Sequence, residues 1–104
     1  MSGRSSLRAA MGNRDANHGE ISAAYEALYC RVVDTHGQGG GFPDIVVKIS
    51  TKRGPIAALV EIKTSDGTLS KSQERFIAEW GSCVTVVQTR DDVFAHVQRV
   101  RGQP

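Results

Sequence analysis

Cysteine is scarce in this chain. Cys30 and Cys83 are the only two in 104 residues, too few and too far apart for a disulfide scaffold or a CxxC metal site. Both lie in apolar stretches, which predicts buried free thiols in a reducing cytosol. Long apolar runs are also missing, and none approaches the roughly 20 residues that a membrane span needs. The start, Met1-Ser2-Gly3-Arg4-Ser5-Ser6, lacks the apolar stretch of a secretory signal and reads as a flexible arm over residues 1–16. The expectation is a cytoplasmic protein without a membrane partner. Net charge is small as well, at +2, and does not by itself announce a nucleic-acid partner. Its distribution says more. Arg4, Arg8 and Arg14 load the N-terminus, while Lys48, Lys52 and Arg53 load one turn, and phosphate binding depends on such local patches.

What is present suits one domain, expected over residues 17–101: 39% hydrophobic and 23% charged residues are ordinary for a globular chain of this length. No internal repeat or dividing linker is visible. Asn17-His18-Gly19-Glu20 has the form of a capping box, and Ile21, Ala24, Tyr25 and Leu28 then recur at helical spacing to about Cys30. Residues 31–35 form a short β-branched run. Gly37-Gln38-Gly39-Gly40-Gly41 follows as a loop. Residues 44–50 and 56–64 read as strands around a turn containing Gly54-Pro55. Ser70 caps a helix to about Trp80, with Phe76, Ile77 and Trp80 on one face, expected to be core, and Gly81 ends it. Residues 84–88 form a strand of the kind buried on both faces, and Asp91 or Asp92 opens a last helix. The order α-β-β-β-α-β-α predicts an α/β fold, a mixed sheet flanked by helices.

The chemistry concentrates on one spacing: Asp44, sixteen residues, then Glu61-Ile62-Lys63. Strand side chains alternate, so Glu61 and Lys63 share a face and Ile62 takes the other. If Lys52-Arg53 is a two-residue turn, paired residues have numbers summing to 105, and Asp44 stands opposite Glu61. A turn at Arg53-Gly54 would set Asp44 opposite Lys63 instead. Either register keeps all three polar groups on one face, whereas an odd-membered loop scatters them. Two carboxylates about 5 Å apart repel by about 1 kcal/mol in water and about 3 kcal/mol at an effective dielectric of 20. A divalent cation removes that penalty and lowers the pKa of a water it carries, and a nearby Lys positions the attack. The pattern suggests metal-assisted hydrolysis of a phosphodiester.

These residues resemble the signature of the PD-(D/E)xK nuclease superfamily. The surroundings narrow the resemblance: Arg14-Asp15-Ala16-Asn17 before a helix with Glu20-Ile21, a glycine-rich approach to Pro43-Asp44, and Leu69-Ser70-Lys71-Ser72-Gln73 opening a helix. That helix ends in Glu79-Trp80-Gly81 and leads to Val84-Thr85-Val86-Val87 and Arg90-Asp91-Asp92. This resembles the VRR-NUC (virus-type replication-repair nuclease) family, in particular its small stand-alone phage and prophage members, from about Arg14 to Val100. The resemblance implies a restriction-endonuclease-like core, Mg²⁺ or Mn²⁺ as cofactor, and cleavage of branched or structured DNA such as four-way junctions by a homodimer. It implies metal ligands at Asp44, Glu61 and the Ile62 carbonyl, and a catalytic lysine at Lys63.

Two further residues have two readings each. Glu20 matches a first-helix carboxylate that often reaches the metal in the superfamily, and it also fits the capping acid of Asn17. Gln73 fits a capping box with Ser70, yet it lies three, four and seven residues before Phe76, Ile77 and Trp80, on the inward side of its helix. A polar group there needs a partner, and the active site offers one. The glycine run is no P-loop, since no Gly-Lys-Ser/Thr follows. His18, His36 and His96 show no metal-ligand spacing, and His36, beside the glycine loop, reads as an ordinary polar loop residue more readily than as a phosphate contact. An exposed Trp80 would be able to stack on a base. The rival readings are a nuclease for linear or single-stranded DNA and a DNA-binding module without turnover.

Overall fold

The structure is a computed structural model that describes residues 16–64 and 66–102. Most of the expected flexible arm lies outside the described residues. The elements are α1 (Ala16–Ala27), β1 (Arg31–Asp34), β2 (Ile45–Thr51), β3 (Gly54–Ile62), α2 (Lys71–Trp80), β4 (Val84–Val87) and α3 (Arg90–Arg101). A short 3₁₀ turn, Gly81–Cys83, joins α2 to β4. The four strands form one mixed sheet in the order β1-β2-β3-β4, antiparallel except for the parallel β3–β4 pair.

Alternation along the central hairpin decides what each face does. Ile45, Val47 and Ile49 of β2, and Ala58, Val60 and Ile62 of β3, are buried on one face. There they join Ile21 and Tyr25 of α1 and Val93 and Val97 of α3 in the hydrophobic core. A buried hydrogen bond of 2.7 Å between the Tyr25 hydroxyl and His96 Nδ1 ties α1 to α3. Burial pushes the Tyr25 phenol up and holds the His96 imidazole down at about 4. The opposite face carries Val46, Lys48, Leu59 and Glu61, and α2, a helix with none of its residues buried, reaches it through Gln73 at Glu61.

The hairpin register follows the Lys52-Arg53 turn, because Ile45 pairs with Val60 and Thr51 with Gly54. Several side chains depart from expectation. Trp80 is 46% exposed, on a helix that reaches the sheet through the Gln73–Glu61 hydrogen bond and buries none of its own residues. Cys83 is exposed, while Cys30 is buried, and both are free thiols. β4 is an edge strand, which leaves Val86 exposed. Among the described residues, no helix is long and apolar enough to cross a membrane.

Candidate active site

The β1–β2 ladder continues past its last paired residues. Thr35 N–H donates to the Asp44 carbonyl at 2.9 Å, and the Thr35 hydroxyl donates to the Pro43 carbonyl at 2.8 Å. These bonds fix the backbone at the entrance to β2, and the side chain is fixed from β3. Asp44 Oδ2 accepts the Ile62 N–H at 2.8 Å, which leaves Oδ1 to face the site. Glu61 stands opposite Asp44, as the Lys52-Arg53 register requires, and is only 2% exposed. Burial first, and the Asp44 charge second, push its carboxyl up to about 8.

Gln73 settles its two readings by serving both. Its Oε1 accepts the Ser70 N–H at 2.7 Å and closes the capping box, while its Nε2 donates to Glu61 Oε2 at 2.5 Å. A primary amide carries both a donor and an acceptor, so one side chain orients α2 and the carboxylate together. The glycine loop brings α2 into this position. Gly41 has φ +80°, and a Cβ there would run into the Ser72 carbonyl, so no other residue permits so close an approach.

Lys63 extends the β3–β4 ladder through its N–H to the Val87 carbonyl at 2.8 Å. The end of its side chain runs beside Gly67, where an added Cβ would come within 3.3 Å of Lys63 Cε. Ile62 turns its side chain into the core and contributes its backbone at Asp44.

Glu20 is not brought to Asp44. It is exposed, on a groove between α1 and α3 lined by Ala23, Arg90, Asp91 and Phe94. Nor is it the capping partner of Asn17, because the helix has already begun at Ala16. The Asn17 side-chain amide instead donates to the carbonyls of Lys63 and Gln88, each at 3.2 Å. The first turn of α1 therefore reaches the site's edge through Asn17 and His18.

His36 is the neighbour that sequence spacing did not reveal. Its Nδ1 lies 3.5 Å from Asp44 Oδ1, its backbone N–H is held by Asp34 Oδ1 at 2.9 Å, and its ring meets His18 edge to face. The signal was the β1–β2 register: Thr35 stands opposite Asp44, so His36 is the next residue along.

A buried carboxyl beside a half-buried one that repels it is the donor chemistry of a hard divalent cation's site. Among the described residues, no three His, Cys, Asp or Glu side chains form a ready-made metal cluster. The donors present still fit a cation that keeps several of its own waters.

A mixed four-stranded sheet flanked by helices, with an acidic pair at the end of its central hairpin, has the restriction-endonuclease-like architecture. The chain belongs to the VRR-NUC domain family, whose profile matches residues 9–100, nearly its whole length. That is a family of nucleases, with DNA as the implied substrate. No match was found among curated proteins or among solved structures.

Proposed function

We propose that this chain is a metal-dependent endodeoxyribonuclease that hydrolyses phosphodiester bonds in branched or otherwise structured DNA. One observation carries the reading: Glu61 is buried beside Asp44 and held by Gln73. Asp44, Glu61 and the Ile62 carbonyl would hold Mg²⁺ or Mn²⁺. When bound, the cation supplies charge neutralisation at the phosphate and acidity at the attacking water. Lys63 orients that water or stabilises the developing charge, and Gln73 keeps Glu61 turned toward the site. Family membership supports the nuclease part of this reading. The resemblance to stand-alone members extends it to a homodimer acting in a bacterial cytoplasm, of phage or prophage origin.

A second reading has its own support. Trp80 is exposed and lies parallel to Phe76, with ring centroids 5.0 Å apart and an interplanar angle of 3°. Such a surface favours unpaired bases, whether in single-stranded DNA or at a branch point. The deciding experiment incubates junction, flap, duplex and single-stranded DNAs with the full chain and Mg²⁺ or Mn²⁺, with size-exclusion scattering on the same sample. Preferential cutting of junctions by a dimer is expected. Preference for linear single strands selects the second reading. Binding without cleavage of any substrate overturns both and leaves a DNA-binding module.

A further inference from the structure

Asp44 Oδ2 is engaged by the Ile62 amide, so Oδ1 is the oxygen turned to the site, and the atom facing it is a nitrogen. His36 Nδ1 is buried and has no hydrogen-bond partner among the described residues. Its 3.5 Å separation from Oδ1 is at the outer limit for a hydrogen bond. It is near the separation of two ligands of one ion. Donors each about 2.1 Å from a shared octahedral cation lie about 3.0 Å apart, so a closure of about half an ångström puts both on one ion. The ring is also held in place. Asp34 fixes the His36 N–H, the Gln38 N–H closes the following turn on the Thr35 carbonyl, and His18 packs against the imidazole.

We propose that His36 is a nitrogen ligand of the cation held at Asp44, making this a mixed nitrogen–oxygen site that favours Mn²⁺ over Mg²⁺. The inference rests on the metal-dependent reading above and adds a ligand and a selectivity to it. Mg²⁺ is a hard ion that binds oxygen and gains little from an imidazole, whereas first-row transition ions accept nitrogen readily. The lone pair at Nδ1 becomes the donor, and the ring's proton sits on Nε2. His36 thereby does more than steady a carboxylate, because it selects which ion the carboxylate pair receives.

The test uses the full chain without DNA and Mn²⁺ alone as the probe. Pulsed electron paramagnetic resonance on the protein loaded with one equivalent of Mn²⁺ reads directly coordinated ¹⁴N. The expected result is a nitrogen coupling in the wild type that disappears in His36→Phe, which keeps a ring against His18 without a donor. Mn²⁺ affinity falls at least about tenfold in that variant, the scale on which even outer partners of metal ligands act. Mg²⁺ affinity, read by competition, changes less than about twofold. His18→Phe keeps the coupling, and Asp44→Asn weakens both ions.

A wild-type spectrum without nitrogen coupling overturns the proposal and leaves His36 an ion-pair partner of Asp44. That spectrum decides the matter even if His36→Phe fails to fold. A coupling that survives in His36→Phe, or Mn²⁺ binding unaffected by Asp44→Asn, places the ion elsewhere and also overturns it. Cleavage assays are read separately. Wild-type cutting with either ion but no nitrogen coupling sinks this inference and spares the nuclease. Nitrogen coupling without cutting does the reverse.

Discussion

On one face of the sheet, Ile45, Val47, Ile49 and Val60 are fully buried against α1 and α3; on the other, Glu61 is buried beside Asp44 under a helix with no buried residue of its own. The same two strands supply both faces, one residue out of step. The packed face is apolar and continuous, and its polar exception, Tyr25–His96, is satisfied internally. The site face places a carboxyl where it is desolvated and repelled by its neighbour, which raises its pKa and costs stability. A small domain tolerates this because the stabilising burial is concentrated on the other face. Stability and chemistry are thus separable by strand parity, and substitutions on the two faces should have different signatures.

The largest expected effect is on activity alone. Lys63→Ala should lower the cleavage rate by about a hundredfold to ten-thousandfold, the usual contribution of a positioned proton-transfer group. Its stability should change by about 0.5 kcal/mol or less, as for substitutions away from a core. Rates on a cleaved substrate and calorimetry on the same preparation check this. Unchanged cleavage would remove Lys63 from the mechanism.

The converse change lies on the packed face, away from Asp44. Ile49→Ala leaves a cavity among fully buried residues and should cost about 2–4 kcal/mol. For a domain of this size that is a fall in Tm of about 10–20 °C. Cleavage per folded molecule, measured well below the new Tm, should stay near the wild-type rate. A large loss of activity in the folded protein would show that the two faces are coupled.

His96 offers a third probe of the packed face. Its folded pKa, held down to about 4 by burial and then by Arg99, lies below the ordinary value of 6.5. Between those values the unfolded chain binds more protons, so stability rises with pH across the window. The contribution is complete above about pH 6.5 and is lost as pH falls toward 4, on the order of 3 kcal/mol in all. Tm measured from pH 7 to 4.5 should fall more steeply in the wild type than in His96→Gln. Equal slopes would mean that the ring is already charged in the fold, with the Tyr25 hydroxyl and Thr85 Oγ1, 3.3 Å from Nε2, accommodating it.

How much of this was legible in the sequence depends on the range of the interaction involved. The parity of the hairpin was readable, because either even-membered turn sets Asp44 on the face of Glu61; that the turn is Lys52-Arg53 and not Arg53-Gly54 was not. The cap of α2 was readable because Ser70-x-x-Gln73 is a local pattern. Asn17 was misread as a cap because its amide is claimed by Lys63 and Gln88, which are distant in sequence. Glu20 was set toward the metal by analogy, but its direction around α1 is toward α3. His36 needed the β1–β2 register, which a ten-residue connection conceals. The apolar neighbours of Trp80 and Cys83 point to the core, and their exposure shows only in the fold, where neither α2 nor the turn after it has a buried residue.

Trp80 gives the smallest expected effect and the finest test of the contrast between faces. It is the chain's one tryptophan, so its fluorescence reports this part of the site face without a label. Phe76 covers one side of the indole, and Phe42 meets Phe76 edge to face with ring centroids 5.4 Å apart. Phe42 precedes Pro43-Asp44, and Phe76 lies one turn beyond Gln73, so this aromatic group begins at the site itself. Adding oligo(dT) without a divalent cation should quench Trp80, and Trp80→Ala should weaken that binding about fivefold or more, the value of one base stack. Duplex binding and Tm should hardly change, because α2 buries no residue whose loss would open the core. Fluorescence unmoved by saturating oligonucleotide would show that bases do not reach this surface. The chemistry of the site face would then end at its carboxylates.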